Sequence, residues 1–423
     1  MQETVRLTMA QALVRYLAAQ HIEIDGEAQP LFGGVFAIFG HGNVAGMGEA
    51  LAADGQPLPV YRAHNEQAMA HAAIAYAKAH GRRRMMACTT SIGPGATNMV
   101  TAAALAHVNR LPVLLLPGDI FASRRPDPVL QQVENFADPQ VSANDTFRPV
   151  ARFFDRIMRP EQLLKSLPQA LSVLLDPADC GPAVIALPQD VQAEAFAYPA
   201  AFFAAQLRSI RRPPPDREAI ARAAALLDAA ARPLIVAGGG VHYARAQDTL
   251  AGFAERHGIP VAETQAGKGS LPWDHPCNVG AIGVTGSSAA NRAAREADLI
   301  LALGTRLQDF TTASHTLFNP HANLVAVNTA RHDSIKAGAH AVQADVAVAL
   351  EALERDCRTP EAAVDWRRAN SEAIAAWQAE VEAATAPGGA GLPGDAQVLG
   401  AVNRVATAAT TVVCAAGGLP GEL

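Results

Sequence analysis

Short runs rich in valine, isoleucine and leucine alternate with alanine-rich stretches along most of this chain, and this alternation is its strongest constraint on folding. Each run is bounded by glycine or proline, and the first four read VFAIF, RRMMACT, PVLLLPG and PAVIALP. Continuous apolar runs of this length are typical of strands buried on both faces, and the stretches between them are long enough for helices. The alternation therefore predicts an α/β fold in which helices cover both faces of a parallel sheet. The first such unit extends to about residue 190.

Three consecutive prolines at 213–215 interrupt this rhythm, because proline fits neither a helix interior nor a central strand. We interpret them as part of a linker, after which a second α/β unit begins with the helical segment REAIARAAALLDAA and the strand RPLIVAGGG. A polar helical connector and the joint PGGAGLPGD follow, and then the helix QVLGAVNRVA, the strand TTVVCAA and the turn GGLPGEL of a third unit. The predicted segments are an N-terminal domain at 1–197, a linker at 198–215, a second domain at 216–358, a connector and joint at 359–394, and the start of a third domain at 395–423.

The composition is that of a globular protein, since half of the 423 residues are apolar and 17% are charged. The net charge of −6 argues against a nucleic-acid binder, which would carry a basic excess. The five cysteines are far apart and odd in number, so they indicate neither a disulfide framework nor a zinc site. No apolar run is long enough for a signal peptide or a membrane span. We therefore expect a cytoplasmic location.

Glu66 begins an alanine-rich segment, EQAMAHAAIAYAKA, that the pattern predicts as a helix. On that helix Glu66 shares one face with Ala70, Ala73 and Ala77, because steps of four, three and four residues follow the helical repeat. Asn65 is a favourable N-cap, and the helix dipole favours an acid in the first turn. Glu66 is therefore either a solvated first-turn charge or a buried acid with a chemical role.

Two glycine-containing turns follow predicted strands. IFGHGNVAGMG has a glycine spacing one residue longer than a dinucleotide-binding turn, so an ordinary strand-to-helix turn is the simpler interpretation. In CTTSIGPGATN a proline between two glycines gives a rigid turn, where backbone N–H groups and short side chains can approach a ligand. From the residues alone, an ordinary capped loop explains this second turn as well.

Three histidines near these segments are candidate metal ligands. His41 lies in the first turn, and His64 and His71 are seven residues apart, which is two helical turns. HExxH is absent and no third ligand is evident, so the pattern disfavours a metal site at these histidines.

In their order along the chain, these motifs resemble the pyrimidine-binding domain of thiamine-diphosphate enzymes such as acetolactate synthase. That order is the turn IFGHGN, the acid and helix NEQAMAHAAIAYA, the turn TSIGPGATNMVTAAA and the strand LPVLLLPGD. The second unit is similar to the central Rossmann-like domain of that family, and TTVVCAAGGLPGEL to the opening of its diphosphate-binding domain. The resemblance covers essentially the whole chain. It implies consecutive three-layer parallel-sheet domains, the thiamine-diphosphate-binding fold and then the Rossmann-like domain, with only the start of a third.

Within that family, several segments resemble the trihydroxycyclohexanedione hydrolases of bacterial myo-inositol catabolism: LTMAQALVRYL, FAIFGHGNVAGMGEAL, NEQAMAHAAIAYAK, RPDPVLQQVE and AAGGLPGEL. Asn65 before the acid and the additional Ile92 fit this group better than acetolactate synthase. The implied reaction is hydrolytic cleavage of a carbon–carbon bond in the cyclic dione to give 5-deoxy-D-glucuronate. Two alternatives stay open: another carboligase or decarboxylase of the family, and a non-catalytic nucleotide-binding α/β protein.

The resemblance also implies roles for particular residues. The implied cofactor-binding residues are Gly40, His41, Glu66, Ser91, Gly93, Pro94 and Asn98. In the family, a glutamate in the position of Glu66 holds the pyrimidine ring of the cofactor and promotes loss of its C2 proton, which makes Glu66 the implied catalytic residue. His41 would lie near the reacting centre and orient the substrate. The three alanines on the face of Glu66 are then interpreted as clearance for the cofactor ring.

One motif of the family does not occur in these 423 residues: the GDG, followed by an asparagine, that binds magnesium and the diphosphate. In the family, each active site is also shared between the pyrimidine domain of one subunit and the diphosphate domain of another. The resemblance therefore implies thiamine diphosphate and magnesium as cofactors, with the metal-binding residues outside this chain, and a homodimer or homotetramer. We expect this chain by itself to be truncated, to bind the cofactor poorly and to turn over little or nothing.

Overall fold

The computed structural model of the chain describes residues 3–53, 55, 58–358, 364–389 and 391–413, and the chain divides into two units, Met1–Arg211 and Arg212–Leu423. The strands of the first unit are β1 Thr4–Thr8, β2 Gln20–Ile24, β3 Glu27–Pro30, β4 Phe32–Ala37, β5 Val60–Arg62, β6 Met85–Thr90, β7 Val113–Asp119, β8 Phe153–Arg156, β9 Pro182–Pro188, β10 Ala195–Pro199 and β11 Gln206–Arg208. Its α-helices are α1 Met9–Ala18, α2 Glu49–Ala52, α3 Glu66–Ala79, α4 Pro94–Thr97, α5 Val100–Asn109, α6 Leu163–Leu174 and α7 Gln189–Ala193. A π-helix at Val44–Gly48 and 3₁₀ helices at Ala143–Phe147, Pro160–Gln162 and Ala200–Phe203 complete the helical segments described in this unit.

A six-stranded parallel sheet in the order β5-β4-β6-β7-β9-β8 forms the centre of the first unit. Every residue of β6, β7 and β9 is buried, as continuous apolar runs predict for strands covered on both faces. Apolar residues of one sheet face form a core with α1 and α6, and α3 and α5 pack on the other face. The predicted α/β class is confirmed, and the four predicted runs are β4, β6, β7 and β9.

Two small sheets join the start of the first unit to its end. Strand β1 pairs antiparallel with β10, and β2 pairs with both β3 and β11. Residues 195–208 therefore add strands to the segment that begins the chain. Residues 209–216, which include the three prolines, form neither helix nor strand. The domain boundaries inferred from the sequence stay predictions.

The second unit contains another six-stranded parallel sheet, in the order β14-β13-β12-β15-β16-β17. Its strands are β12 Pro233–Ala237, β13 Val261–Glu263, β14 Asn278–Ala281, β15 Leu299–Leu303, β16 Asn323–Asn328 and β17 His340–Gln343. Its α-helices are α8 Arg217–Asp228, α9 Gly239–Ala244, α10 Gln247–His257, α11 Ser288–Glu296, α12 Asp309–Thr312, α13 Arg331–Ile335, α14 Val346–Asp356, α15 Val364–Thr385 and α16 Asp395–Val405, and a 3₁₀ helix spans Gln265–Gly267. This strand order is that of a doubly wound Rossmann-like sheet, so the expectation for the second unit is confirmed.

Helices cover both faces of this second sheet. Along β15, Leu299, Leu301 and Leu303 pack into a core with α8, α10 and α14, whereas Ile300 and Ala302 pack into another core with α11. Alternate residues of a strand point to opposite faces, so both faces are buried and the unit has three layers.

The helical connector predicted after the second sheet corresponds to α15. Trp366 on α15 is buried, and its indole Nε1 donates a hydrogen bond to the carbonyl oxygen of Pro233, 3.0 Å away. Helix α16 corresponds to the predicted helix QVLGAVNRVA and packs on α15. Of the predicted strand TTVVCAA, residues 410–413 form no strand, and the remainder lies outside the described residues together with the turn GGLPGEL.

Main-chain atoms at the start of α9 and in the loop after β15 meet at the carboxyl ends of the adjacent strands β12 and β15. The amide of Gly240 donates to the carbonyl oxygen of Gly304, 3.0 Å away, and Gly304 has a φ of +59°. A Cβ atom built on Gly304 would overlap the Cα atom of Gly240, and one built on Gly238 would lie 2.6 Å from the Gly304 oxygen. Glycine is therefore required here for close approach of these two segments.

A buried ion cluster fixes the connection between β7 and β8 in the first unit. Arg156 Nε donates to Asp119 Oδ2 over 2.7 Å, and its Nη2 donates to Asp145 Oδ2 over 2.9 Å and to Ser142 Oγ over 2.7 Å. Burial opposes ionisation of Asp145, but hydrogen bonds from Arg156 and Arg148 outweigh it, so the pKa of Asp145 is below its usual value. The ionised carboxylate therefore stabilises this connection.

This lowered pKa predicts a pH dependence of stability. A carboxyl group with a lower pKa in the folded chain stabilises the fold fully above its unfolded pKa of about 4, and this contribution is lost as the pH falls further. In urea unfolding between pH 6 and pH 3, we expect Asp145→Asn to lose stability relative to the unsubstituted chain near pH 6, and the difference to shrink toward pH 3. Exposed Glu134, substituted as Glu134→Gln, is the control and should give no such converging difference. A constant difference across this range would contradict the assignment.

In the described parts of the chain, no helix combines the length and apolar character needed to cross a lipid bilayer. The cysteines within those parts, Cys88, Cys180, Cys277 and Cys357, are free thiols. Cys414 lies outside the described residues.

Candidate functional site

The candidate site lies where three neighbouring strands of the first sheet end. Strands β5, β4 and β6 are adjacent and parallel, so their carboxyl ends lie at one edge of the sheet. The first glycine turn follows β4, helix α3 follows β5, and the second glycine turn follows β6. In open α/β sheets, ligands bind outside the carboxyl ends of the strands. The two turns and the start of α3 therefore meet in the region where this fold places ligands.

Helix α3 begins at Glu66, as the sequence predicts. Asn65 is its N-cap, and the side-chain oxygen of Asn65 accepts a hydrogen bond from the amide of Ala68 over 2.9 Å. This bond satisfies one of the amides that a helix leaves unpaired in its first turn. Glu66 is consequently free of a capping role, and its half-buried side chain points toward the second turn.

Asn98 and Gly95 define the surroundings of the Glu66 carboxylate. Asn98 Nδ2 donates a hydrogen bond to Glu66 Oε2 over 2.8 Å. The other oxygen, Oε1, lies beside Gly95, where an added Cβ would come within 3.3 Å, and it accepts no hydrogen bond from the described residues. One carboxylate oxygen is thus held in place, and the other is available to a ligand.

The alanine face of α3 does not provide the clearance that we inferred from the sequence. Ala70, Ala73 and Ala77 are completely buried, and their helix packs on β6 and α5. A side chain without accessible surface cannot contact a ligand that enters from solvent, so this part of the interpretation is wrong. The small residues instead allow α3 to pack closely, and the space beside Glu66 comes from Gly95.

The glycines of the first turn allow it to pack closely against Ser91. A Cβ on Gly40 would lie 2.7 Å from Ser91 Oγ, and the amide of Gly42 donates to this hydroxyl over 3.3 Å. Buried Asn43 fixes the turn, because its Oδ1 accepts from the amide of Gly40 over 2.9 Å and its Nδ2 donates to Thr89 Oγ1 over 3.2 Å. The first turn therefore packs closely on Ser91 of the second turn and is linked to it by the hydrogen bond from Gly42.

The second turn places the remaining residues of the site around Gly95. A Cβ on Gly95 would lie 3.8 Å from that of Ser91, so Ser91 and Glu66 border the same small space. Gly93 has a φ of +58°, which favours glycine, and buried Ile92 packs against Gly42. The structure thus brings Gly40, Glu66, Ser91 and Asn98 together, whereas Pro94 is exposed as the first residue of α4.

His41 contacts a distant segment of the chain rather than the space beside Glu66. Its Nε2 is 2.6 Å from the carbonyl oxygen of Leu130. Residues 129–133, here called the strap, belong to the long connection after β7. The carbonyl oxygen of Gln131 lies so close to Gly93 that a Cβ there would overlap it. The strap therefore rests on both turns.

Two further residues support the site without having been identified from the sequence. Gln192 Nε2 donates to the carbonyl oxygen of Gly42 over 2.8 Å, and Asn43 fixes the first turn from within. Asn43 lies in the turn IFGHGN, and a side-chain amide within a glycine turn is a signal by which the sequence could have identified it. Gln192 comes from 150 residues away, and no local pattern marks it.

The histidines that are candidate metal ligands do not cluster in the structure. His64 is exposed, and His71 lies 3.4 Å from the side chain of Gln67. Among the described residues, no group of three His, Cys, Asp or Glu side chains is arranged to hold a metal ion. Cys88 lies behind the site in β6, where burial raises the pKa of its thiol and keeps it protonated.

Comparison with protein families gives two matches along the chain. Residues 7–138 match the family described as "Thiamine pyrophosphate enzyme, N-terminal TPP binding domain". Residues 220–353 match "Thiamine pyrophosphate enzyme, central domain". The first match includes Glu66 and both glycine turns, and the second covers the Rossmann-like sheet.

Curated relatives are similar over most of the chain. A protein of Geobacillus thermodenitrificans, named 3D-(3,5/4)-trihydroxycyclohexane-1,2-dione hydrolase, is 50% identical over 90% of this chain and 59% of its own length. A protein of the same name, numbered 2, from Bacillus cereus is 49% identical over the same shares, and one from Clostridium tetani is 46% identical, again over 90% of this chain and 59% of its own length. The chain thus spans 59% of the length of these relatives.

Proposed function

Because the chain belongs to the thiamine pyrophosphate enzyme family, we propose that it forms the cofactor-activating and central parts of a thiamine-diphosphate-dependent hydrolase. The proposed substrate is 3D-(3,5/4)-trihydroxycyclohexane-1,2-dione, which the enzyme would cleave at a carbon–carbon bond to 5-deoxy-D-glucuronate in myo-inositol catabolism. The identity of about 50% to relatives that carry the name of this hydrolase supports the substrate.

The observation that carries this proposal is the geometry of the Glu66 carboxylate. The bond from Asn98 fixes Oε2, and Oε1 lies beside Gly95 without a partner among the described residues. A ring nitrogen of an aminopyrimidine could therefore approach Oε1 and share a proton with it, and the glycine leaves space for the ring. These residues fit the pyrimidine part of thiamine diphosphate.

The protein residues would bind and orient in this proposal, and the bound cofactor would supply a carbon nucleophile for attack on a ketone carbonyl. Glu66 would hold or release a proton at Oε1, which is general acid–base work. Asn98 would keep the carboxylate aimed, and Gly40, Ser91, Gly93 and Pro94 would border the ring. The glycine-to-serine contacts hold the two turns in place before any ligand arrives, which lowers the cost of ordering them.

Three further proposals concern the metal, the partner and the location. We propose that magnesium and the diphosphate are held by the part of the relatives' length that this chain does not span, since no GDG motif occurs here. We also propose that a second copy of the chain, in a homodimer or homotetramer, completes each site. A cytoplasmic location is proposed because the described cysteines are free thiols.

The test is turnover by an extended chain, in which this sequence is joined to the part of the Geobacillus thermodenitrificans relative that this chain does not span. We expect the extended chain, with thiamine diphosphate and magnesium, to hydrolyse the dione and to leave pyruvate unchanged. Conversion of pyruvate instead would favour another carboligase or decarboxylase of the family. If the extended chain shows no turnover, a nucleotide copurifies with it, and Glu66→Ala leaves that nucleotide bound, a non-catalytic nucleotide-binding protein is favoured. The unextended chain should show little or no turnover.

A further inference from the structure

The strap crosses both turns of the candidate site, and few contacts hold it against them. Leu130 is 71% exposed and Val133 54% exposed, so these side chains bury little apolar surface that would hold the strap down. Within the strap, the amide of Gln132 donates to the carbonyl oxygen of Val129 over 3.0 Å, and the amide of Val129 donates to Gln132 Oε1 over 2.9 Å. These bonds shape the strap locally and do not attach it to the turns.

Attachment to the turns comes from His41 and Gly93. The His41 Nε2 contact to the Leu130 oxygen, at 2.6 Å, joins residues 89 positions apart in the sequence. A carbonyl oxygen can only accept a hydrogen bond, so Nε2 carries the hydrogen and donates it. The contact of Gln131 with Gly93 is steric, and the side chain of Val133 lies 3.7 Å from where a Cβ of Gly93 would be. The polar anchor of the strap on the first turn is therefore His41.

We propose that His41 is a positioning residue that holds the strap across the two turns, where the strap forms one wall of the substrate pocket. The sequence suggested direct contact between His41 and the substrate, but the observed contact commits its Nε2 hydrogen to the strap. The anchor acts beside Ser91 and Gly93 and not on the Glu66 carboxylate, so it should affect substrate binding more than proton transfer. This inference rests on the proposed function for its substrate, whereas the anchoring itself does not.

The anchoring is tested on the chain itself by amide hydrogen exchange at Val129 and Gln132. His41→Phe keeps a ring and removes the donor, and we expect exchange at both amides to become about fivefold to tenfold faster, the effect of losing one hydrogen bond. His41→Gln places an amide donor at similar reach and should keep exchange within about twofold of the unsubstituted chain. Unchanged exchange in the central strands β6 and β7 would establish that each variant remains folded.

His107 offers a matched control, because its ring Nδ1 lies 3.0 Å from the carbonyl oxygen of Val150, also in the first unit. His107→Phe removes a contact of the same kind elsewhere and should leave exchange at Val129 and Gln132 unchanged. If His41→Phe leaves these amides unchanged, or if His41→Gln fails to restore them, His41 does not anchor the strap.

The role of the strap as a wall is tested in the extended chain. His41→Phe should raise the KM for the dione about fivefold or more and change kcat by less than about twofold, because the proton-transferring residue is untouched. An unchanged KM would contradict the proposal that the strap forms a wall of the substrate pocket. A fall in kcat with an unchanged KM would indicate that His41 takes part in the catalytic reaction. Failure of the unsubstituted extended chain to act on the dione would instead refute the proposed function, and the exchange result would stand by itself.

Discussion

Replacing Glu66 with glutamine in the extended chain should lower kcat for dione hydrolysis at least about 100-fold, the usual lower range for loss of general acid–base catalysis. The amide oxygen of glutamine can still accept the hydrogen bond from Asn98, so the side chain keeps its place. What it loses is the ability to take up and release a proton. The KM for the dione should change little, since Glu66 is proposed to act on the cofactor.

Glu218 is the matched control for this substitution. It too is a glutamate in the first turn of a helix, α8, that begins at a capping residue, Asp216, and it is exposed. A loss caused only by removing a favourable charge near a helix start would appear in Glu218→Gln as well. We expect Glu218→Gln to retain turnover within about twofold, because an exposed first-turn charge contributes only about 0.3–1 kcal/mol to stability.

A second measurement separates chemistry from binding. Exchange of the C2 proton of thiamine diphosphate for deuterium, followed by proton NMR in the extended chain, should be slowed by Glu66→Gln and not by Glu218→Gln. Normal turnover together with normal exchange in Glu66→Gln would show that the proposed role of this residue is wrong.

Substituting Gly304 by alanine should destabilise the second unit by about 3 kcal/mol, since it combines a left-handed backbone conformation with overpacking. The added Cβ would overlap the Cα atom of Gly240 at the start of α9, so main chain and not a flexible side chain would have to move. The three tryptophans of the chain all lie in this unit, and Trp366 is buried. Tryptophan fluorescence during urea unfolding therefore reports the free energy of unfolding of this unit.

Gly252→Ala provides the opposite expectation in the same unit. Gly252 lies within α10, and a Cβ added there would meet no atom within 4 Å. Alanine should stabilise the helix by about 0.5–1 kcal/mol, because glycine loses more conformational freedom on folding. Equal effects of the two substitutions would mean that the contact between the start of α9 and the loop after β15 does not constrain the fold.

The central strands were predictable and the edge strands were not, and burial explains the difference. β6, β7, β9 and β15 are buried on both faces, so their sequences are mainly apolar runs, with polar residues only at the carboxyl ends of β6 and β7. β5 is exposed at all three residues and β8 is half-buried, whereas β14 is buried only at Asn278 and Val279 and β17 only at Val342, so these strands carry no such run. The pairing of β1 with β10 depends on residues far apart, which no local pattern records.

The candidate site was predictable in its motifs and less so in its contacts. The helix start at Glu66 and its N-cap follow from local rules, and both are confirmed by the structure. That Asn98 bonds to Glu66, and that Gly95 gives the clearance assigned to the alanines, depends on the packing of two adjacent turns. The contact of His41 with the strap was beyond local inference because it joins residues 89 positions apart.

The pairing of the first strand has a consequence for folding during synthesis. Thr4 is paired with Pro199, so β1 has no strand partner until residue 199 has left the ribosome. Strand β2 can pair with β3 early, but its other partner, β11, is complete only at residue 208. At roughly 5–20 residues per second, this interval is roughly 10–40 s. During that time β1 is unpaired and one edge of β2 is open, which makes the nascent chain a candidate for chaperone binding.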